Sequence, residues 1–200
     1  MSIELIKSKV SAKQGLAKSN LFAIALPAIP GILTDQSELN VLCRDVTLPG
    51  RQILSNERLI GVNLEKVAYG YAVQDVSATF LCLNDYYVRK YFETWQGLVV
   101  NPDTFELGYT NEYAKEISIY QLQKPDYEIS GEIFLNAPKS AQVYGVKLQK
   151  AYPTTMTDLQ FNNELDGIIE INVQFSYRNW KPIGWNEWPY LKLMNYLDMN

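Results

Sequence analysis

The segment VQDVSATFLCLNDYYVRKYFETWQGL, Val73–Leu98, decides the fold of this 200-residue chain. Its first part has the two-residue period of a half-buried strand, with apolar side chains at Val76, Ala78, Phe80 and Cys82. Asn84 or Asp85 is then expected to cap a helix over residues 85–98. One stripe of that helix is apolar, at Tyr87, Val88, Tyr91, Phe92, Trp95, Leu98 and Val99. Such an aromatic face must pack on something large, and a sheet is the natural partner.

Length and composition indicate one soluble globular domain, since 47% of the residues are hydrophobic and 20% are charged. Tyrosine outnumbers phenylalanine by 14 to 7, which is typical either of interfaces or of β-rich folds. The net charge of −4 divides into +2 over Met1–Lys66 and −6 over the remainder. No clustered basic face is apparent, so the sequence does not indicate a nucleic-acid-binding domain.

The strand pattern predicts a mainly β, antiparallel barrel or sandwich with one flanking helix, because most connections are too short for parallel crossovers. Strands are predicted at Asn20–Pro27, Asn40–Thr47, Ile117–Leu122, Glu128–Leu135, Gln142–Lys150 and Gly167–Trp180. A hairpin is predicted over Arg51–Asn63 and Leu64–Tyr71, with turns near Asn56 and Gly61. Loops are predicted at Ala28–Leu39, Asn101–Glu116 and Pro153–Asn163, with a turn at Pro138–Ser140.

The two termini stand apart from this core of residues 20–180 within a single domain. Residues 1–19 form either a short amphipathic helix or a mobile arm, and they lack the continuous apolar run of a secretory signal. Residues 181–200 form an apolar, aromatic extension that is expected to dock either on its own sheet or on a neighbouring subunit. The residues expected to make that contact are Trp185, Trp188, Leu191 and Met194.

The sequence points away from catalysis. It contains no histidine, which removes serine–histidine and cysteine–histidine nucleophiles and the usual zinc sites. Cys43 and Cys82 are expected to be reduced core residues, since two thiols give neither a disulfide framework nor metal-ligand spacing. Asp75 and Glu170 are the nominees for a glycosidase-like carboxylate pair, although alternation equally places them on an outward strand face. We therefore predict no enzyme activity, no metal and no cofactor.

The order of several short motifs resembles the tail tube proteins of contractile-tailed, T4-like bacteriophages. The resemblance covers most of Asn20–Trp180 and rests on these segments: Leu48–Arg51 (LPGR), Val67–Tyr71 (VAYGY), Asn84-Asp85, Tyr91–Gln96 (YFETWQ), Val146–Thr157 (VKLQKAYPTTMT) and the alternating Ile168–Trp180. It implies a β-barrel or sandwich with one packed helix, assembled as hexameric rings that stack into a tube. It also implies that the protein belongs to the virion tail after assembly in the host cytoplasm.

The resemblance implies residue roles as well. The excursion Leu48–Tyr71 matches the loop that reaches toward the next ring, with polar contacts expected from Arg51, Glu57, Arg58 and Glu65. The lumen wall is expected to be acidic or neutral, so that DNA passes without specific binding, and its candidate residues are Asp75, Glu170, Asn172 and Gln174. The implied partners are other copies of the chain, the tail sheath protein, and the baseplate and terminator proteins; no membrane is involved.

Three other interpretations remain open at this point. The first is another tube-related protein with a similar fold, either a baseplate tube-initiator or the tube protein of a related injection system. A carbohydrate-binding β-sandwich would use the tryptophans of residues 180–188 as a stacking platform. A glycosidase-like enzyme is the third.

Overall fold

The computed structural model describes residues 3–12, 16–33, 35–60, 63–122, 142–159, 161 and 167–183. The helices are α1 (Ile3–Ala12), α2 (Gln36–Leu42), α3 (Tyr87–Val99) and α4 (Thr110–Tyr113). The strands are β1 (Phe22–Ala25), β2 (Cys43–Val46), β3 (Arg51–Ile60), β4 (Asn63–Val73), β5 (Val76–Leu81), β6 (Lys115–Leu122), β7 (Gln142–Met156), β8 (Glu170–Ser176) and β9 (Asn179–Pro182).

The main sheet is antiparallel, in the order β1-β6-β7-β8-β5-β2, and β9 also pairs with β7. Strand β7 belongs to two halves of this sheet. Its residues up to Ala151 pair with β6, and Tyr152–Met156 pair with β8. Lys150, at the irregularity between the Leu148 and Ala151 pairings with β6, has a φ of 54°, a left-handed conformation that redirects the strand just before its second half. The result is the predicted mainly β, sandwich-like antiparallel architecture, in which the described strands do not close into a barrel.

Helix α3 packs its aromatic stripe onto the sheet, as the opening segment predicts. Val88, Tyr91, Phe92 and Trp95 are fully buried. The Phe92 ring lies 5.1 Å from the Phe80 ring and 5.9 Å from the Phe175 ring, centroid to centroid, in tilted geometry. These contacts join α3 to β5 and β8, the two central strands of the half-sheet β7-β8-β5-β2.

The predicted start of α3 is slightly wrong. The cap position is Tyr86, with a φ of 54° and no side-chain capping bond. Asp85 nevertheless accepts a hydrogen bond from the Tyr87 amide at 3.1 Å. The carboxylate therefore satisfies one helix amide from one position earlier than a standard cap.

Two predicted boundaries before the hairpin are wrong. The predicted loop Ala28–Leu39 contains most of α2, and the predicted strand Asn40–Thr47 begins only at Cys43. The cause is Asp35, whose side chain accepts hydrogen bonds from the Ser37 and Glu38 amides at 2.9 and 3.2 Å. That capping geometry starts a helix where the sequence shows no long apolar period.

Further boundaries differ in the second half of the chain. The predicted loop Asn101–Glu116 holds α4 and the start of β6, and β7 runs through Pro153 to Met156. Pro153 is tolerated because the register shifts between Pro153 and Thr155, and a bulge accommodates a residue without an amide hydrogen. The predicted strand Gly167–Trp180 divides into β8 and β9 at Tyr177-Arg178.

The remaining predictions have mixed outcomes. The hairpin is confirmed as β3–β4, but Asn56 lies within β3, opposite Val67, and is not a turn. Residues 3–12 are helical, the first of the two alternatives for the N-terminal segment. The predicted strand Glu128–Leu135, the turn Pro138–Ser140, Gly61 and most of the C-terminal extension lie outside the described residues.

Candidate assembly surfaces

One face of strand β8 is polar, and it holds three of the four predicted lumen residues. Its buried face presents Ile171, Val173 and Phe175 to the core. Glu170, Asn172 and Gln174 alternate with them and lie on the opposite face.

The polar row continues across the sheet onto β5. Ser77 lies opposite Gln174 and Thr79 lies opposite Asn172. The Asn172 amide donates to the Ser77 hydroxyl at 2.9 Å and to the Thr79 hydroxyl at 3.0 Å. Sequence reasoning did not nominate these two hydroxyls, although the alternation of β5 places them on the outward face. The part of the row formed by Asn172, Ser77 and Thr79 is therefore hydrogen-bonded and uncharged.

Charge on this face is balanced locally. Arg44 of β2 donates a hydrogen bond to the Glu170 carboxylate and forms an ion pair with it. Sequence reasoning missed Arg44, because no local sequence pattern relates it to Glu170, which lies 126 positions away. Asp75 does not join the row, since it is an exposed residue in the two-residue connection between β4 and β5. The face is thus closer to neutral than to acidic.

Among the described residues, no strand pairs with either outer edge of this half-sheet, whose order is β7-β8-β5-β2. At one edge, the Thr47 amide donates to the Ser77 carbonyl at 2.9 Å, and hydrogen-bonding direction alternates along an antiparallel strand. The Val46 amide therefore points away from β5. At the other edge, the Thr157 amide donates to the Asn172 carbonyl at 3.0 Å, so the Met156 amide points away from β8.

The edge at β1 is closed by contrast. The Asn40 side-chain oxygen accepts a hydrogen bond from the Ile24 amide at 2.8 Å. Asn40 lies on α2 and is buried, with 7% of its surface exposed. Helix α2 thereby occupies the centre of the β1 edge and prevents another strand from pairing there.

The β3–β4 hairpin is a two-stranded ribbon outside the main sheet. Large apolar side chains on it are exposed, with Ile53 and Tyr69 each at 61% and Leu64 at 63%. An isolated two-stranded ribbon is at best marginally stable in water. Exposed apolar groups at this density are typical of surfaces that contact other molecules.

All four residues predicted to contact the next ring lie on this hairpin. Glu57 pairs with Lys66 across the strands at 3.6 Å, and Arg58 lies directly opposite Glu65. Arg51 is different, because it lies at the base of the hairpin against aromatic rings of its own subunit. The four predicted extension contacts, Trp185, Trp188, Leu191 and Met194, lie outside the described residues and stay a prediction.

The outer face of α3 borders an open cleft of about 580 Å³. Arg89 and Glu93 form an ion pair at 2.6 Å along the helix. The lining residues are Tyr86, Arg89, Lys90, Glu93, Asp158, Leu159 and Phe161. Charges of both signs around an apolar floor suit a protein partner.

The described residues contain no group of three or more metal-ligating side chains. No helix among them is long and apolar enough to cross a membrane. Burial raises the pKa of the Cys43 thiol to about 12 and also raises that of Cys82. A thiol with a raised pKa is a poor nucleophile at neutral pH.

Comparison with known proteins identifies the fold. A family model described as phage tail tube protein matches residues 16–182. A chain of the sheath-tube complex of the PVC extracellular contractile injection system is 12% identical, with a TM-score of 0.56 over 91% of this chain and 97% of that one. A chain of the tube-terminating cap of the anti-feeding prophage is 11% identical, with a TM-score of 0.58 over 84% and 90%. None of the curated proteins matches the sequence.

Proposed function

Because this chain belongs to the phage tail tube protein family, we propose that it is a structural, non-enzymatic tube subunit that forms hexameric rings by pairing sheet edges. The observation that carries the proposal is the half-sheet β7-β8-β5-β2, which has two open edges and one polar face. Membership of the family supports the role in a tube. The two edge strands give neighbouring copies a means of pairing into a closed ring.

The directions of the strands support edge pairing. Each neighbouring pair in the half-sheet is antiparallel, so its two edge strands, β2 and β7, run in opposite directions. When copies are placed side by side, β2 of one copy meets β7 of the next in antiparallel orientation. Pairing through the Val46 and Met156 amides would satisfy backbone groups that otherwise face solvent.

The polar row then lines the lumen. Serine, threonine, asparagine and glutamine side chains give a hydrated wall, and Glu170 neutralises Arg44. Tight binding to a phosphate backbone needs several unpaired cations. The wall supports passage of DNA without specific binding.

The hairpin and the cleft beside α3 are the surfaces that contact the remaining partners. The exposed hairpin stacks on the neighbouring ring, where burial of its apolar side chains supplies the driving force. The mixed-charge cleft beside α3 faces the tail sheath protein, and baseplate and terminator proteins meet the two ends of the tube. The assembled protein then resides in the virion tail, after assembly in the host cytoplasm.

Proline substitution at the edges tests this proposal. Val46→Pro and Met156→Pro remove the outward amide hydrogens, whereas Val46→Ala and Met156→Ala shorten the same side chains and keep those hydrogens. Purified proteins are compared by analytical ultracentrifugation and electron microscopy. We expect rings and tubes from the parent chain and the alanine variants, and folded monomers from the proline variants. Rings from the proline variants, or a parent chain that stays monomeric at high concentration under all salt conditions, would contradict the proposal.

A further inference from the structure

The base of the hairpin is held by one arginine between two aromatic rings. The Arg51 guanidinium carbon lies 4.8 Å from the ring centroid of Tyr71 and 4.6 Å from that of Trp180. Arg51 and Tyr71 are diagonal neighbours across the hairpin, whereas Trp180 belongs to β9 in the main sheet. Both distances lie within the range of a cation–π contact, so a single side chain joins the hairpin to the body.

Hydrogen bonds reinforce this contact at the same corner. The Arg51 guanidinium donates to the Trp180 carbonyl at 3.3 Å. The Trp180 indole donates to the Gly50 carbonyl at 3.2 Å, and the Tyr177 hydroxyl donates to the Gln74 carbonyl at 2.8 Å. Gly50 precedes β3 and Gln74 follows β4. The β8–β9 corner therefore holds both chain ends of the hairpin.

The length of the hairpin makes its base angle important. A strand of ten residues spans about 33 Å, so a rotation of about 10° at the base displaces the tip by about 6 Å. That displacement exceeds the spacing of neighbouring strands in a sheet, which is about 4.8 Å. A hairpin that must meet a defined surface on another subunit needs a rigid base.

We propose that Arg51 is a positioning residue, which sets the direction of the β3–β4 hairpin and thereby permits ring stacking. The role in stacking rests on the proposed tube function, whereas the role in holding the hairpin does not. This role differs from the sequence prediction, in which Arg51 itself contacts the next ring. Together with Tyr71 and Trp180, Arg51 forms a clamp of three side chains.

The proposal is tested with Arg51→Ala, Arg51→Lys and a matched control, Arg178→Ala, which removes the same charge from an exposed residue of the β8–β9 corner itself. Hydrogen exchange of the unassembled protein reports on the clamp itself. In Arg51→Ala we expect amide exchange at the base of β3 and β4 to quicken by roughly tenfold, since two cation–π contacts are lost. Exchange in β5 and β8 should not change. Lysine keeps the charge but lacks the planar guanidinium, so Arg51→Lys should fall between the parent chain and Arg51→Ala.

Electron microscopy of the same proteins reports on stacking. We expect Arg51→Ala to form single rings with few stacked tubes, and Arg178→Ala to resemble the parent chain. Unchanged exchange in Arg51→Ala would overturn the clamp whatever the state of assembly. Faster exchange with normal tubes would overturn its role in stacking. A parent chain without rings or tubes would overturn the tube proposal, while the exchange experiment still decides whether Arg51 holds the hairpin.

Discussion

Two aromatic-rich regions of this protein differ in what covers them. On α3, Tyr91, Phe92 and Trp95 are fully buried against the sheet of their own chain. On the hairpin, Tyr69 and Tyr71 are 61% and 49% exposed. The difference teaches that one set of aromatic residues stabilises the fold, whereas another set, on the hairpin, remains largely exposed and is available for the proposed contact between rings. Substitutions in the two regions should therefore have separable effects on stability and on assembly.

The largest expected effect is that of Trp95→Ala. Trp95 contacts the Tyr91 and Phe175 rings, and its indole donates to the Tyr113 carbonyl at 2.8 Å. Truncation leaves a cavity and an unpaired carbonyl, so the free energy of unfolding should fall by about 3–5 kcal/mol. Urea denaturation followed by circular dichroism measures this. A loss below about 1 kcal/mol would mean that α3 is not the centre of the core.

Tyr91→Phe should have a smaller effect, because it removes one buried hydroxyl and keeps the ring. That hydroxyl donates to the Pro27 carbonyl at 2.7 Å and ties α3 to the segment after β1. Loss of the donor should lower the free energy of unfolding by about 1–3 kcal/mol. Tyr69→Phe, the same change on the exposed hairpin, is the control in the same denaturation experiment. Equal losses in the two variants would remove the distinction between the regions.

A pH titration should reveal a contribution from the start of α2, which is part of the body. Hydrogen bonds from the Ser37 hydroxyl and then from the Glu38 and Ser37 amides lower the pKa of Asp35 below its usual 3.8. Its contribution to stability is therefore complete above about pH 4 and is lost as the pH falls through the lowered value. The stability advantage of the parent chain over Asp35→Ala should shrink in acid. A stability advantage over Asp35→Ala that grows as the pH falls would contradict the predicted direction.

The sequence predicts the body better than the assembly surfaces, for a physical reason. The periods of α3 and β8 run over many residues, so their buried faces and the Glu170–Gln174 row could be assigned. Helix α2 spans only seven residues, and its start depends on the single capping residue Asp35. The clamp joins Arg51 to Trp180, 129 positions away. No local sequence pattern relates these two residues, because only the pairing of β9 with β7 brings them together.

The smallest expected effect on stability is that of Tyr69→Ser, which provides the strictest test of the comparison. The register of β3–β4 shifts at this point, so that Gly70 pairs with Leu54 and Ala68 pairs with Ser55. Tyr69 is the extra residue of a bulge, and its ring is mostly in solvent. Its replacement should change the free energy of unfolding by no more than about 0.5 kcal/mol.

Assembly should respond to the same substitution. If the hairpin is covered by the next ring, Tyr69→Ser removes an aromatic group from that contact, and tubes should shorten or require more protein, as measured by electron microscopy and sedimentation. Tyr69→Phe retains the ring and should assemble like the parent chain. Normal tubes from Tyr69→Ser would show that this side chain lies outside the contact between rings, whereas a large loss of monomer stability would show that the hairpin already belongs to the core of one chain.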